Sequence, residues 1–519
     1  MKSLGVIKCW VFSPNDNVGV LVASDGKQGQ TVQIPLPAGK NIKLKTAIPK
    51  GHKIAVRDIK INEPIIKFGQ IIGASNKKIL AGEHVHVHNI RLGNRIGFSE
   101  EYLKNNNQAN VTKEEKIIPN SFRGYLRIDG RVGIRNYIVV ASTVNCSAGV
   151  VRGIANYFKK KNILKKGIDG IVPVIHNSGC AQAIGGYAHK ILNRTIAGWL
   201  THPNVVGVML VGLGCEGTTL ETVKENFNSV NSFNENFLES LNIQDVGGTK
   251  KSIKSGIGKV ERILSRLPVF ERKEFHVSRL TVALKCGGSD SYSSLTANPA
   301  LGIAADTLIS CGGTVILAEI PELFGAKKIL LQRCVKEERE KIEKIFSWWD
   351  DYGRKNKVNM NDNLSPGNIS GGLSTILEKS LGALAKSGSS GINQVVDYAQ
   401  RITKRGVVLM NTPGFDPVAV TGMVAGGSHL VAFATGRGSV FGCSIAPTIK
   451  IATNSEIYKR LKGDLDIDAG RALNKSSIAE IGREIYDFFI RVASGAKTHS
   501  EKNGMGEEEF VPWQVGEVL

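Results

Sequence analysis

Two patterns of hydrophobic and polar positions divide the chain. Residues 1–95 alternate apolar and polar positions in short segments, such as 18–22, 31–34 and 84–88, and turns containing Gly, Pro and Asn separate these segments. Alternation with a period of two is typical of half-buried strands. The first part of the chain is therefore predicted to be a small β-rich domain.

From about residue 121 the pattern changes to apolar runs that end in small-residue turns and are followed by helical stretches. The runs are 137–140, 170–175, 205–211, 280–284, 314–317, 407–410 and 430–433. Buried runs that alternate with helices are typical of parallel sheets covered on both faces. We expect an α/β region with mostly parallel sheets in two lobes, 121–260 and 275–519, joined to the β-rich domain by a polar linker at 96–120.

The overall composition limits the possible partners. The 519 residues carry a net charge of +21, but the lysine patches at 159–161 and 165–166 lack interleaved aromatic residues, so we expect a solvated surface and no nucleic-acid binding. No apolar run is long enough to span a membrane, and the N-terminus does not resemble a signal peptide. Eight cysteines without a CxxC pair fit a reducing compartment. A cytoplasmic location is expected.

The sharpest local feature is the histidine motif His84-Val-His86-Val-His88. On a strand all three imidazoles project from one face, which suits a divalent transition metal. A polar, exposed strand face is the alternative. His52 and Lys53 follow a Pro-Lys-Gly turn, where they could bind a carboxylate or act as an acid, although this signal is weak by itself.

Polar residues also gather where the predicted parallel strands end. Ligands of open α/β sheets bind outside the carboxyl ends of the strands. His176 and Glu319 follow two of the runs, and the turn Cys-Gly-Gly-Ser289-Asp290 offers backbone N–H groups, a hydroxyl and a carboxylate. Thr-Gly-Arg437-Gly offers a similar anion cradle with a guanidinium.

An arginine-rich segment precedes the first run of the α/β region. It contains Arg131, Arg135 and Asn136, and arginine forks bind carboxylates bidentately. A surface turn with local pairing between Asp129 and arginine is the alternative.

Four cysteines stand in turns after predicted strands, at positions 146, 180, 215 and 286. They could converge as thiolate ligands, even of an iron–sulfur cluster. Alternatively they are small buried residues where helices crowd the strand ends, and this second interpretation is preferred for most of them.

At these motifs the sequence resembles the altronate/galactarate dehydratase family. The matching stretches run from about residue 50 to 470 and include GHKIAVRDI, HVHVHN, GYLRIDGRVGIRN, VNCSAG, HNSGC, GLGCE, CGGSDSYSSLTANPALG, EIPELFGA, EKSLGALAKSGSS and TGRGSVFGCSIAPTIKIATNSE. The resemblance implies a SAF-type β domain before a large α/β dehydratase region. It also implies a cytoplasmic hydro-lyase that converts a small anionic sugar acid to a 2-keto-3-deoxy acid with a divalent metal, Fe²⁺ or alternatively Mn²⁺. HVHVHN is closer to the altronate branch, and a homo-oligomer, taken as a dimer, is expected.

The chemistry implied is removal of a proton next to a carboxylate, which creates an enediolate that a metal and cationic side chains stabilise. The candidate metal ligands are His84, His86, His88 and Asp290. The candidate catalytic residues are His86, His84, His52, His176 and Glu319. The candidate substrate-binding residues are Lys53, Arg131, Arg135, Asn136, Ser289 and Arg437. A galactarate dehydratase, a sulfolactate sulfo-lyase and a non-catalytic sugar-acid binding protein are the rival interpretations.

Overall fold

The computed structural model describes residues 7–34, 39, 41–92, 118–162, 164–228 and 237–515. Most of the predicted linker, residues 96–117, lies outside this part of the chain. Among the described residues, no helix combines the length and apolar character needed to cross a bilayer.

The N-terminal region is built of two small, mainly antiparallel sheets. The first has the strand order β4-β3-β1-β2-β5-β8 and the second the order β6-β7-β9. Their strands are β1 (Ile7–Trp10), β2 (Val18–Leu21), β3 (Thr31–Gln33), β4 (Asn41–Lys43), β5 (Lys53–Ala55), β6 (Pro64–Lys67), β7 (Gln70–Ser75), β8 (His84–Val85) and β9 (Ile90–Arg91). The alternation in the sequence is visible in β1, whose burial alternates along the strand because one face packs on the core.

A short antiparallel sheet and a four-stranded parallel sheet follow. The antiparallel order is β11-β10-β16 and the parallel order is β13-β12-β14-β15. The strands are β10 (Ser121–Leu126), β11 (Val132–Gly133), β12 (Tyr137–Ser142), β13 (Gly170–Val174), β14 (Val205–Gly212), β15 (Leu238–Asn242) and β16 (Lys273–His276). The helices are α1 (Ala148–Lys161), α2 (Tyr187–Leu200), α3 (Leu220–Asn228), α4 (Ile243–Val246) and α5 (Thr249–Arg266).

The last part contains a seven-stranded parallel sheet with the order β19-β20-β18-β17-β21-β22-β23. Its strands are β17 (Thr281–Gly287), β18 (Thr314–Leu317), β19 (Ile392–Val396), β20 (Gly406–Met410), β21 (Leu430–Thr435), β22 (Thr448–Ala452) and β23 (Ile467–Asp468). The helices are α6 (Ala297–Ser310), α7 (Lys327–Arg333), α8 (Arg339–Asn356), α9 (Pro366–Ser370), α10 (Ile376–Ala385), α11 (Asp416–Ala425), α12 (Ser455–Arg460), α13 (Ile478–Ala493) and α14 (His499–Lys502). Short 3₁₀ helices lie at Asn145–Ser147, Val277–Arg279, Ile320–Ala326, Lys336–Glu338, Met360–Asn363 and Ala469–Leu473.

The apolar runs of the sequence form the centres of the parallel sheets. Every residue of β12, β14 and β21 is buried, because helices cover both faces of the strands. The indole Nε1 of Trp199 on α2 donates to the carbonyl of Thr421 on α11 at 2.9 Å and links a helix beside the four-stranded sheet to a helix beside the seven-stranded sheet. The prediction of a β-rich N-terminal region followed by an α/β region with parallel sheets is confirmed.

The N-terminal region is anchored to the last part of the chain by a buried charge cluster. Glu378, in the first turn of α10, pairs with Lys53 at 2.9 Å and with Lys67 at 2.7 Å, and all three side chains are fully buried. Lys53 Nζ also donates to the carbonyl of Gly372 at 2.7 Å. These contacts fix the position of β5, and therefore of His52, against the segment before α10.

Candidate functional site

Three imidazoles meet at the edge of the N-terminal region. His52 lies in the turn before β5 and His84 lies on β8, which pairs with β5. Nδ1 of His52 and Nε2 of His84 are 3.0 Å apart, and one ring nitrogen from each of His52, His84 and His86 lies within 4.8 Å of the other two. Three imidazole nitrogens at this spacing can bind one divalent metal ion.

The predicted strand at 84–88 is wrong in its length, since β8 ends at Val85. Asn89 causes this: its side chain accepts from the backbone N–H of His86 at 2.9 Å and donates to the carbonyl of His84 at 2.8 Å, which turns the chain. The turn leaves His86 buried against His52, with ring centroids 4.7 Å apart, while His88 is exposed and lies outside the group of three.

The state of the imidazoles suits metal ligation. Burial lowers the pKa of His84 to about 3 and that of His86 to about 4, and the neighbouring His52 and Lys53 add to the effect, so both rings are neutral at pH 7. Nδ1 of His86 is buried and has no hydrogen-bond partner among the described residues. A buried ring nitrogen without a hydrogen-bond partner is costly unless a ligand satisfies it, so these residues fit a divalent metal.

Lys53 is held beside this group. Burial lowers its pKa to about 8, and Glu378 opposes that shift. Its ammonium is surrounded by the carbonyl of Gly372 and both oxygens of Glu378. Lys53 was predicted to bind substrate, but its ammonium donates these hydrogen bonds to groups of the chain itself.

A cavity of about 630 Å³ opens next to His52. Nε2 of His52 lies 3.2 Å from the carbonyl of Ser370, and Ser370 lines the cavity. The other side chains that concern the chemistry come from the N-terminal region and from the carboxyl ends of β17, β21 and β22: Asp25, Lys50, Asp290, Tyr292, Arg437, Asn454, Glu456 and Arg460. Both parts of the chain thus contribute to one polar cavity.

Asp290 is the buried acid of this cavity. Its carboxylate accepts from the N–H and hydroxyl of Ser293 at 2.9 and 3.0 Å and from the hydroxyl of Thr453 at 3.1 Å. Burial raises its pKa, although these hydrogen bonds oppose the shift. Gly371 and Gly436 pack on it so closely that a Cβ at Gly436 would lie 2.2 Å from the Asp290 carboxyl carbon. The predicted Ser289 adjoins it, and its carbonyl accepts from Asn368 at 2.8 Å.

A second titratable cluster lies deeper, at the ends of β17 and β18. Cys286, Glu319 and Glu322 offer ligand atoms within 4.8 Å of one another. The Sγ of Cys286 is 2.9 Å from both Glu322 Oε2 and Lys386 Nζ, and Lys386 pairs with Glu319 at 3.0 Å. Because ammonium groups already neutralise these carboxylates, this cluster is a weaker metal site than the three histidines.

Burial and the neighbouring charges shift the pKa values of this deeper cluster in opposite directions. Burial and then Glu319 raise the pKa of Cys286 to about 12. Burial and the adjacent Glu322 raise the pKa of Glu319. For Glu322, burial acts to raise the pKa, but Lys379, which pairs with it at 2.9 Å, and two further lysines lower it to about 2. The thiol is therefore protonated at neutral pH and Glu322 is ionised.

The arginine-rich segment lies away from the cavity that contains Asp290. Arg135 is fully buried, pairs with Glu501 at 2.7 Å and donates to backbone carbonyls. Asn136 donates to the carbonyl of Gly167, and Arg131 lines a different cavity of about 840 Å³. The reason is topological: residues that precede a parallel strand lie at its amino end, opposite the carboxyl ends where the cavity of Asp290 is found.

His176 is also enclosed. Its Nε2 lies 3.1 Å from the carbonyl of Ser142 and its Nδ1 accepts from the N–H of Ser178, while burial lowers its pKa to about 4. Both ring nitrogens are engaged within the loop after β13.

Sequence reasoning did not single out Glu378, Lys386 and Glu322 as functional residues. The signal was present, because Glu378 and Lys386 belong to the motif EKSLGALAKSGSS and Glu322 to EIPELFGA. Glu378 lies in the first turn of α10, Lys386 directly after the end of that helix and Glu322 on a 3₁₀ helix, so an argument from the turns after strands did not single them out. The cysteine interpretation is corrected in part: Cys286 is buried, but Cys146, Cys180 and Cys215 are exposed.

Family models match almost the whole chain. They are the altronate/galactarate dehydratase SAF domain over residues 7–93, the D-galactarate dehydratase/altronate hydrolase second domain over 124–268, and the D-galactarate/altronate dehydratase C-terminal domain over 277–518. Among curated relatives, the altronate dehydratase of Bacillus subtilis is 34% identical over 95% of this chain and 96% of its own length, and that of Escherichia coli is 33% identical over 95% and 96%. The galactarate dehydratase (L-threo-forming) of Escherichia coli is 35% identical over 94% of each chain.

Proposed function

The chain belongs to the altronate/galactarate dehydratase family and is a sugar-acid hydro-lyase, and we propose that it converts a six-carbon aldonate of the altronate type to a 2-keto-3-deoxy acid. The observation that carries this proposal is the cavity beside His52, to which the N-terminal region and three strand ends both contribute. In this arrangement one contact, from His52 to the carbonyl of Ser370, separates the histidine group from a polar pocket of a size that suits a small ligand.

We assign the metal site to His52, His84 and His86. A divalent ion held there, Fe²⁺ or Mn²⁺, would act as a Lewis acid that stabilises negative charge on the substrate carboxylate. The neutral rings and the unpartnered Nδ1 of His86 support this assignment.

The protein's own groups then handle the protons. Asp290, whose pKa is raised by burial, is assigned as the base that takes the proton from the carbon next to the carboxylate. Lys50, which lines the cavity and pairs with Glu456 at 2.5 Å, is assigned as the acid that protonates the departing hydroxyl to give water. The enol product then takes a proton at the carbon that carried the departed hydroxyl, loses the proton of its enol oxygen and becomes the 2-keto acid. Arg437 is assigned as the residue that binds the terminal carboxylate of the substrate.

An aldonate is preferred to an aldarate on the charge of the cavity. Its lining contains three basic side chains, Lys50, Arg437 and Arg460, and three acidic ones, Asp25, Asp290 and Glu456. A balanced lining favours a substrate with one carboxylate and several hydroxyls over a dianion. The likeness to HVHVHN of the altronate branch supports the same choice.

The function is tested by incubating the anaerobically prepared protein with D-altronate, galactarate and a panel of other aldonates and aldarates, with Fe²⁺ or Mn²⁺, and measuring formation of 2-keto-3-deoxy acid. We expect turnover of D-altronate to exceed that of galactarate. Turnover of galactarate alone would reject the aldonate assignment, and no 2-keto-3-deoxy acid from any member of the panel would reject the function.

The metal assignment is tested with matched histidine variants. His86→Ala should abolish turnover and weaken metal binding, with little change in the thermal melt, because the ring contributes a ligand atom. His88→Ala removes an exposed ring of the same motif and should retain turnover. Equal activity of the two variants would reject the three-histidine site.

A further inference from the structure

Three cysteines lie together at the carboxyl edge of the four-stranded sheet, apart from the cavity described above. Cys146, Cys180 and Cys215 follow β12, β13 and β14, which are adjacent parallel strands. All three are free and exposed. The carboxyl ends of neighbouring parallel strands meet at one edge, so three thiols from three loops share one small region of the surface.

The loops that bear these cysteines contact one another directly. The N–H of Asn145, next to Cys146, donates to the carbonyl of Ser178 at 3.0 Å. The N–H of Thr218, three residues after Cys215, donates to the carbonyl of Gly179 at 3.2 Å. The loop of Cys180 is therefore hydrogen-bonded to the loops of both other cysteines.

These thiols differ from the other cysteines of the chain. Cys9, Cys286, Cys334 and Cys443 are buried and Cys311 is half-buried, as expected for small side chains that fill a core. A reactive, metal-binding thiol needs access to solvent, which only the three at the sheet edge have in full.

Two polar atoms beside the cysteines point to a ligand. Oγ1 of Thr218, which is fully buried, and the buried Oε1 of Gln182 have no hydrogen-bond partner among the described residues. Thr218 is three residues from Cys215 and Gln182 is two residues from Cys180. Native proteins rarely leave such atoms unsatisfied, so a bound group that accepts or donates at this edge accounts for them.

The spacing of the thiols distinguishes among metal groups. A single zinc ion with bonds of about 2.3 Å brings its thiolates to within about 4 Å of one another. The three cysteines do not form one of the groups whose ligand atoms all lie within 4.8 Å. In an iron–sulfur cluster each thiolate binds a different iron, so the ligand sulfurs are more widely spread.

We propose that Cys146, Cys180 and Cys215 hold a cubane iron–sulfur cluster, one thiolate to each of three irons. The fourth iron then has no protein thiolate and is free to take an oxygen ligand from solvent or from a small hydroxy acid. The cluster is a site separate from the three histidines, and its existence does not depend on the proposed sugar-acid substrate.

The test uses the full chain, purified without oxygen and reconstituted with equal amounts of ferrous and ferric iron and with sulfide. We expect about four iron and four acid-labile sulfide per chain, a broad visible absorption, and an electron paramagnetic resonance signal after reduction. The acid-labile sulfide should fall to the level of protein that has not been reconstituted in each of three variants, Cys146→Ala, Cys180→Ala and Cys215→Ala.

The controls separate this site from the metal site of the proposed function. Cys311→Ala removes a half-buried thiol elsewhere, and His86→Ala removes a ligand of the histidine site, so both should retain the sulfide of the wild type. The proposal is overturned by iron without sulfide, by zinc in place of iron, by sulfide retained in any of the three cysteine variants, or by a disulfide between two of these cysteines in the anaerobic protein.

Discussion

The buried cluster of Glu378, Lys53 and Lys67 gives the most demanding test of the fold. Glu378→Gln keeps the shape of the side chain but leaves two fully buried ammonium groups without a counter-charge. Removing one partner of a buried ion pair costs about 3–5 kcal/mol. We therefore expect the free energy of unfolding at pH 7 to fall by about that amount, through loss of contact between the N-terminal region and α10.

The pH dependence of the free energy of unfolding gives a second, independent test. In the wild type the pKa of Lys53 is lowered from 10.5 to about 8. A lowered lysine pKa means that the unfolded chain binds the proton more tightly, so stability rises as the pH increases from about 8 towards 10.5. Without Glu378 the pKa falls further and the rise begins at a lower pH. Between pH 7 and pH 9 the deficit of the variant should narrow by at most about 1.4 kcal/mol, a limit that is approached once the pKa of Lys53 has fallen below 7.

Urea denaturation at pH 7 and pH 9, followed by circular dichroism, measures both quantities, and hydrogen exchange of peptides within residues 53–75 locates the loss. Glu63→Gln is the matched control, because Glu63 pairs with a half-exposed Arg57 on the surface and such a pair is worth less than about 1 kcal/mol. A Glu378→Gln variant as stable as this control at pH 7, or a deficit that is the same at both pH values, would refute the reasoning.

Three further outcomes follow from the described contacts. Asp290→Asn should lower kcat by about 10²- to 10⁴-fold while the thermal melt is retained, as measured by steady-state kinetics on D-altronate, and full activity would remove Asp290 as the base. Gly436→Ala should lower activity as well, since its Cβ would displace the Asp290 carboxylate, and an unchanged KM and kcat would contradict that close approach. Arg135→Ala should cost about 3–5 kcal/mol in chemical denaturation because Glu501 loses its partner, while kcat of the folded protein stays near that of the wild type; a selective loss of kcat would instead give Arg135 a role in the reaction.

The strand-end argument accounts for the position of the residues that directly follow a strand. Asp290 comes three residues after β17 and Arg437 two residues after β21, and both line the same cavity. Apolar runs fix which residues belong to buried parallel strands, and in a parallel sheet the chain direction then fixes which edge receives the turn that follows. The same rule, applied to residues before a strand, explains why Arg135 lies at the other edge.

Other parts of the site depend on contacts that local patterns do not encode. His52 and His84 meet because β5 pairs with β8, about thirty residues later, and His86 joins them because Asn89 turns the chain. Glu378 looks like an ordinary residue in the first turn of a helix until two lysines from the N-terminal region reach it. Long-range pairing of this kind follows from the assembled fold, and a single sequence gives little sign of it.

The anchoring of the N-terminal region by Glu378 would restrict how a substrate reaches the proposed histidine site. Lifting that region as a lid would expose or strand three charged groups that the folded chain keeps away from water, a motion too costly to repeat in each catalytic cycle. On the proposed function, sugar acids would enter and keto acids would leave through the side of the cavity lined by the solvent-exposed Arg437 and Arg460. The cavity would then stay open throughout the catalytic cycle, with charged side chains at its entrance. The rate of product release should therefore depend on ionic strength and not on the motion of a hinge.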